Sequence, residues 1–375
     1  MLFSNLNANA SVMDATQDTL SFDQSFNRAK ASAGGSAVKV AVIAPFFPED
    51  PTADSTWIDH FIEDDTYDFD HVHPVKNLPK WHDRKSPLTA TPEWKIYLRQ
   101  AIAAFRKRPD VVVSVYPQLA ATAGLLKYVS PRTKVIAWTF NVGTCHDGMR
   151  RRLAKLALSK VDIVVVHTRR EIKIYSDWLD LPESKFVFIP YQSPEIATVA
   201  EEETEKPFIA AMGSAHRDYS MFADIIGELN IPTVVASSKA ALDGVEIPDC
   251  METPFGITKQ DCIRLTQQAR INVIPLLPKP AVTAAGQVTL VEAMFMGKVL
   301  VATEYYGVED YIEHEKTGLL VKPHDRDGMR DAILRLWNDA DLRQELARNA
   351  QEQARAVSSD EAAGQNLRNQ LARLS

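Results

Sequence analysis

The sequence predicts an α/β protein built from two doubly wound, Rossmann-like parallel-sheet domains in tandem. Three observations point there. Short, wholly apolar runs alternate with segments of helical period, a charged stretch interrupts the alternation once, and the alternation then restarts. Runs that are apolar throughout imply sheets covered on both faces, and strand–helix alternation makes such sheets parallel. The 375 residues, 45% hydrophobic and 24% charged, are enough to bury two cores. A net charge of −7 gives no global electrostatic case for nucleic acid as a partner.

Residues 1–36, rich in Ser, Asn, Ala and Asp, read as a flexible tail with at most one short helix near Phe22–Ala29. The first domain is expected over residues 37–200. Its strands are Val38–Ala44, His71–Val75, Val111–Val115, Val135–Trp138, Ile163–His167 and Phe186–Ile189. Helical spacing falls at Trp94–Arg106, Leu119–Tyr128, Met149–Leu158 and Glu171–Leu179. The charged, Pro-bounded stretch Glu201–Pro207 reads as a linker. The second domain, residues 207–355, carries strands Phe208–Met212, Thr233–Ala236, Ile271–Pro275 and Val299–Ala302. Its helices lie near Tyr219–Leu229, Lys259–Gln268, Val288–Met296 and Asp327–Asn338. The remainder to Leu374 is helical, and a terminal helix over residues 356–375 is expected to cross back to the first domain. Two such domains leave a cleft, and open parallel sheets bind ligands beyond the carboxyl ends of their strands.

Three cysteines, Cys145, Cys250 and Cys262, are too few and too scattered for a disulfide framework, which fits a reducing cytosol. The longest uncharged run, Val111–Leu126, holds 16 residues including Pro117 and is too short to span a bilayer. The N-terminus shows neither a basic leader nor a continuous apolar stretch. A cytoplasmic protein is expected.

The most informative segment runs from Val273 through a Pro-rich loop to Gly286 and the helix that follows it. The first amides of a helix have no internal acceptor and together carry about half a positive charge, so they attract a phosphate. Gly286 lets the backbone approach a ligand with no Cβ in the way. Thr289 and Glu292, three apart, share a helix face. At a rise of 1.5 Å per residue Glu292 lies roughly 6–8 Å along the axis from that anion site, about the span from a diphosphate to the ribose hydroxyls of a nucleotide. A carboxylate can accept from both hydroxyls of that diol. An ordinary surface glutamate on an amphipathic helix shares the same spacing.

At these residues a family resemblance appears. The run Gly286-Gln-Val-Thr-Leu-Val-Glu292-Ala-Met-Phe-Met-Gly297-Lys-Val-Leu-Val-Ala-Thr303 resembles the donor-site signature of glycosyltransferase family 4, retaining enzymes of GT-B fold. Gly307–Ile312, Lys316–Val321 and Pro323–Asp325 follow in matching order, and Met212–Tyr219 resembles the family's first C-domain loop. In the N-terminal half only Val161–Thr168, continuing through Glu171 to Pro190, is similar to the family.

The resemblance implies that Glu292 grips the ribose, that Gly286, Gln287 and Thr289 hold the diphosphate, and that Gly213, Ser214 and Val288 belong to the same donor-binding site. Arg217 and Lys279 would neutralise charge on the departing nucleotide with no metal and no cofactor. The chain departs from the family in three places. Ala284 stands where the first of two glutamates separated by seven residues is usual, the loop Pro45–Asp54 lacks a glycine pair, and Val299 replaces a common proline.

Other motifs admit two readings each. Asp68-Phe-Asp70 and Asp325-Arg-Asp327 fit a metal-binding Asp-x-Asp pattern, but such hits come easily in an acidic chain, and Asp325 is placed to cap a helix. His71 and His73 share a strand face with only the distant His82 as a third ligand, which favours a structural role. His146, in a loop after a strand, is either a base that orients or deprotonates an acceptor hydroxyl or a solvated loop histidine. Asn141 and Tyr116 are acceptor-side candidates. Arg150, Arg151, Arg152, Lys155 and Lys160, interleaved with Leu153, Leu156 and Leu158, make either a peripheral contact with an anionic membrane or an ordinary solvated helix face. No dinucleotide or phosphate-loop lysine motif occurs.

The expected function is therefore retaining transfer of a sugar from a UDP- or GDP-type donor to a hydroxyl of a lipid or saccharide acceptor, in glycolipid or polysaccharide biosynthesis. The rivals are a nucleotide-sugar 2-epimerase of the same fold and a non-catalytic nucleotide-sugar binding protein.

Overall fold

The computed structural model describes residues 37–46, 57–62, 65–76, 89–279 and 282–374. The expected tail helix Phe22–Ala29, most of the loop Pro45–Asp54, and His82 lie outside these residues. The first sheet is parallel throughout, with strands β1 (Val38–Ile43), β2 (Tyr67–Val72), β3 (Val111–Val115), β4 (Lys134–Trp138), β5 (Ile163–Val166) and β6 (Phe186–Phe188) in the order β2-β1-β3-β4-β5-β6. Helices α1 (Thr91–Arg106), α2 (Pro117–Leu126), α3 (Met149–Leu158) and α4 (Arg169–Leu179) connect them.

Ala41, Ile43, Val112, Val135, Ala137, Val164 and Val166 pack with these helices on one face. The alternate residues Val40, Val113, Ile136, Trp138 and Val165 pack on the other face with Ala363, Leu367 and Leu371 of the last helix. The period-2 alternation of side chains thus feeds two separate cores from strands that read as uniformly apolar.

The second sheet holds β7 (Ile209–Met212), β8 (Thr233–Ala236), β9 (Met251–Glu252), β10 (Ile271–Ile274), β11 (Leu300–Thr303) and β12 (Leu319–Val321), again all parallel, in the order β12-β11-β10-β7-β8-β9. Its helices are α5 (Tyr219–Leu229), α6 (Lys259–Gln268), α7 (Gln287–Phe295), α8 (Arg326–Asn338) and α9 (Ala340–Val357). The final helix α10 (Asp360–Ala372) crosses back to the first sheet, where Gln365 Nε2 donates to the Phe61 carbonyl at 3.2 Å.

The largest departure in the first sheet is β2, expected at His71–Val75 but paired over Tyr67–Val72. It is an edge strand whose side chains are mostly half-exposed, so Asp68 and Asp70 are admitted where an apolar run was sought. The short edge strands β9 and β12 have no counterpart among the expected strands. Asp325 caps α8, accepting from the Gly328 amide at 2.9 Å, and Asp70 pairs with Lys107 at 2.7 Å. His71 Nε2 lies 3.0 Å from Asp59 Oδ2, a structural partner on the turn Ile58–Phe61.

Candidate nucleotide site and domain seam

In the second sheet β7 and β10 are neighbours whose connections leave in opposite directions, β7 toward β8 and β10 toward β11. That is the switch point at which open α/β sheets form a crevice. The two loops that rise there are tied together. Arg217 forms an antiparallel bridge with Leu276, the Asp218 amide donates to the Pro275 carbonyl at 2.9 Å, and the Leu277 amide donates to the His216 carbonyl at 2.9 Å.

Gly286 stands at the start of α7 with φ +97°, a conformation that L side chains resist. The first intrahelical bond runs from the Leu290 amide to the Gly286 carbonyl at 3.0 Å. The amides of Gln287, Val288 and Thr289 therefore precede the ladder and form the positive end of the helix. The Gln287 side chain is buried and donates to the Tyr306 carbonyl at 2.6 Å, so its amide group is engaged within the protein. Val288 is exposed at this turn.

Arg217 is buried against the same turn. Its Nε donates to the Met212 carbonyl at 3.1 Å and its Nη1 to the Ala215 carbonyl at 2.8 Å. A Cβ built on Gly213 would lie 2.6 Å from Arg217 Nη2, and one on Gly286 would lie 3.8 Å from Nη1. The guanidinium is thus wedged between the two glycines as a fixed positive charge. Ser214 Oγ accepts from the Ser238 amide at 2.9 Å and ties this loop to the one after β8. Lys279 is exposed, and its amide donates to Tyr306 Oη at 2.7 Å. Burial, with the charges of Lys279 and Arg217, holds the His216 imidazole below its ordinary value.

Glu292 lies about one and a half turns into α7 with its side chain 20% exposed, and its carboxylate pairs with Lys259 at the first turn of α6. Lys259 was not singled out from the sequence. Burial raises the pKa of the Tyr191 hydroxyl, and the charges of Tyr116 and Glu292 add to the rise.

The two sheets meet along a polar seam that sequence reasoning did not find. Thr144 bridges Val282, the Thr283 amide donates to the Gly143 carbonyl at 3.1 Å, and Thr283 Oγ1 lies 3.3 Å from Asn141 Oδ1. Tyr175 Oη is 3.0 Å from Thr283 Oγ1 and donates to the buried carboxylate of Glu171 at 2.8 Å. Glu171 also accepts from the amides of His167 and Thr168, closing a capping box on α4. Further along, the Arg169 amide donates to Asp310 at 2.7 Å and Tyr311 Oη donates to the His167 carbonyl at 2.6 Å.

Among the acceptor-side candidates, Asn141 is thus in direct contact with the loop that precedes Gly286. Tyr116 is exposed at the start of α2, beyond the carboxyl end of β3. His146 is exposed, and its carbonyl accepts from Trp178 Nε1 at 2.9 Å near the end of α4. In α3, Arg151 turns onto the carbonyls of Asp177 and Trp178 and Lys155 pairs with Asp180, while Arg150, Arg152 and, just past the helix, Lys160 remain exposed. Leu158 is buried.

Residues 210–353 match the family model described as glycosyl transferases group 1. An α-D-kanosaminyltransferase of Streptomyces kanamyceticus is 39% identical over 80 residues, 21% of each chain. The matched segments span 21% or less of the length of the curated relatives. Among solved structures, a sucrose-phosphate synthase of Thermosynechococcus elongatus superposes with a TM-score of 0.63 at 16% identity, covering 90% of this chain and 98% of that one. The Anabaena protein Alr3699/HepE in complex with UDP superposes with a TM-score of 0.60 at 11% identity, covering 90% and 100%. At these identities the likeness is one of fold, the two-domain GT-B arrangement.

Proposed function

We propose that the chain is a glycosyltransferase of the family 4 type, moving a sugar with retention from a nucleotide diphosphate donor to a hydroxyl of a lipid or saccharide acceptor. One observation carries the reading. The loops after β7 and β10, bridged through Arg217 and Leu276, bring the α7 N-terminus, a buried guanidinium and the Glu292 carboxylate to a single switch point. The glycosyl transferases group 1 match over residues 210–353 and the UDP complex of the Anabaena neighbour support a nucleotide-sugar donor.

In this reading the diphosphate rests on the amides of Gln287, Val288 and Thr289, beside Gly213 and Ser214. Glu292 accepts from the ribose diol, and the base lies toward the loop Met251–Ile257. The sugar points to the seam at Thr283 and Asn141. Cleavage of the glycosyl–phosphate bond leaves its electron pair on the phosphate oxygen. Arg217, Lys279 and the helix dipole stabilise that charge, so no metal is required. The acceptor oxygen bonds to the anomeric carbon from the same face and gives its proton to the departing phosphate. Asn141 and Tyr116 orient the acceptor, with His146 the candidate to orient or deprotonate its hydroxyl. No observation favours the epimerase or the non-catalytic binding protein over transfer.

Calorimetry with uridine, guanosine and adenosine diphosphates, followed by transfer assays with the matching nucleotide sugars and lipid or saccharide acceptors, tests the reading. Glu292→Ala should weaken nucleotide binding at least tenfold, and unchanged affinity would refute the site. Turnover of the donor without an acceptor would identify the epimerase instead, and loss of transfer in EDTA would reject metal independence.

A second reading concerns location. Among the described residues no helix is long and apolar enough to cross a membrane. Met149, Leu153 and Leu156 of α3 are nonetheless exposed, as are Leu125, Tyr128 and Val129 at the end of α2, and Tyr128 Oη donates to the Leu156 carbonyl at 3.2 Å. With Arg150, Arg152 and Lys160 they form a basic, apolar surface suited to the anionic inner face of a membrane. Replacing Arg150 and Arg152 by Gln should lower co-sedimentation with phosphatidylserine vesicles; equal sedimentation rejects the contact.

A further inference from the structure

The pair between Lys259 and Glu292 joins α6 to α7, and neither its energy nor local helix chemistry accounts for it. The Lys259 side chain is 59% exposed, and ion pairs of such exposure add little to stability. Lys259 is also the first residue of α6, where a cation opposes the positive end of the helix dipole. Its backbone is held by a capping box, with the Asp261 amide donating to Thr258 Oγ1 at 3.2 Å and the Thr258 amide to Asp261 Oδ2 at 2.9 Å. A locally unfavourable charge on a rigid base, reaching to the one carboxylate placed for a ribose, is the kind of broken local rule that marks a functional position.

We propose that Lys259 is a positioning residue for ribose recognition: its ammonium fixes one oxygen of Glu292 and so turns the carboxylate toward the 2′- and 3′-hydroxyls of the bound nucleotide. The inference rests on the donor site proposed above. Lys259 follows the loop assigned to the base, so the ordering of that loop and the grip on the ribose are joined through a single side chain. Substitution should therefore act on donor affinity and leave the chemical step alone.

The test uses the full chain and whichever of UDP, GDP or ADP binds most tightly, compared by calorimetry with its 2′,3′-dideoxy form. Wild type should prefer the diol at least tenfold. Lys259→Met should lose at least fivefold in affinity for the diol and less than twofold for the dideoxy form. Lys259→Arg should restore the preference to within twofold of wild type. In transfer assays Lys259→Met should raise KM for the donor with kcat within twofold. Equal losses for both nucleotides, or no loss for either, would overturn the role given to Lys259. If Glu292→Ala keeps the diol preference, or if no nucleotide binds wild type, the donor site itself is misplaced.

Discussion

Acid should weaken this protein through one buried histidine at the seam. His167 follows β5 and is buried, and its Nδ1 donates to the Ile189 carbonyl at 2.8 Å. Its Nε2 is buried with no hydrogen-bond partner among the described residues. Protonation would place an N–H and a charge where nothing accepts either, so burial pulls the imidazole from 6.5 down to about 4. The unfolded chain then binds a proton across the whole window from about pH 6.5 to pH 4 while the folded chain does not. Stability from this group is complete above pH 6.5 and is lost progressively as pH falls through that window. With these two values the loss is about 2 kcal/mol between pH 7.5 and pH 5, and about 3 kcal/mol by pH 4.

His167→Asn keeps a donor for the Ile189 carbonyl and removes the titration. Urea unfolding of both proteins at half-unit steps from pH 7.5 to pH 4.5 isolates the effect, because every other titrating group is common to the two. The stability of wild type should fall more steeply than that of the variant by about 2 kcal/mol at pH 5. Parallel profiles would show that the site accommodates the imidazolium and would refute the reasoning.

Gly307→Ala should destabilise by more than about 3 kcal/mol in urea unfolding, because its Cβ would lie 2.4 Å from Thr168 Cβ and Cγ2 across the seam at φ +81°. Gly286→Ala, whose Cβ would meet nothing closer than 3.5 Å, should cost only the ~1–2 kcal/mol of its backbone strain; comparable losses at the two positions would contradict the packing described. Tyr175→Phe removes the donor to Glu171 and the acceptor of the Val142 amide at 3.2 Å, leaving a buried carboxylate short of a partner. A loss of about 2–3 kcal/mol is expected, and thermal unfolding unchanged from wild type would argue against the network.

The amino-acid order alone determined the two parallel sheets and most of their central strands. A strand buried on both faces has to be apolar at every position, and Val111–Val115 or Ile271–Ile274 show that without tertiary information. It determined the start of α7 as well, since Gly286 and the helical period after it are local facts. Edge strands such as Tyr67–Val72 and Met251–Glu252 escaped because one side of them needs no apolar cover.

Only the tertiary structure decided which distant groups meet. Thr283 with Tyr175 and Glu171, Asp310 with Arg169, and Lys259 with Glu292 are separated by 33 to 141 positions. No spacing rule of helix or strand relates residues so far apart. Their encounter is set by the order of the strands and by the direction in which each crossover leaves its sheet, quantities that exist only once the chain has folded.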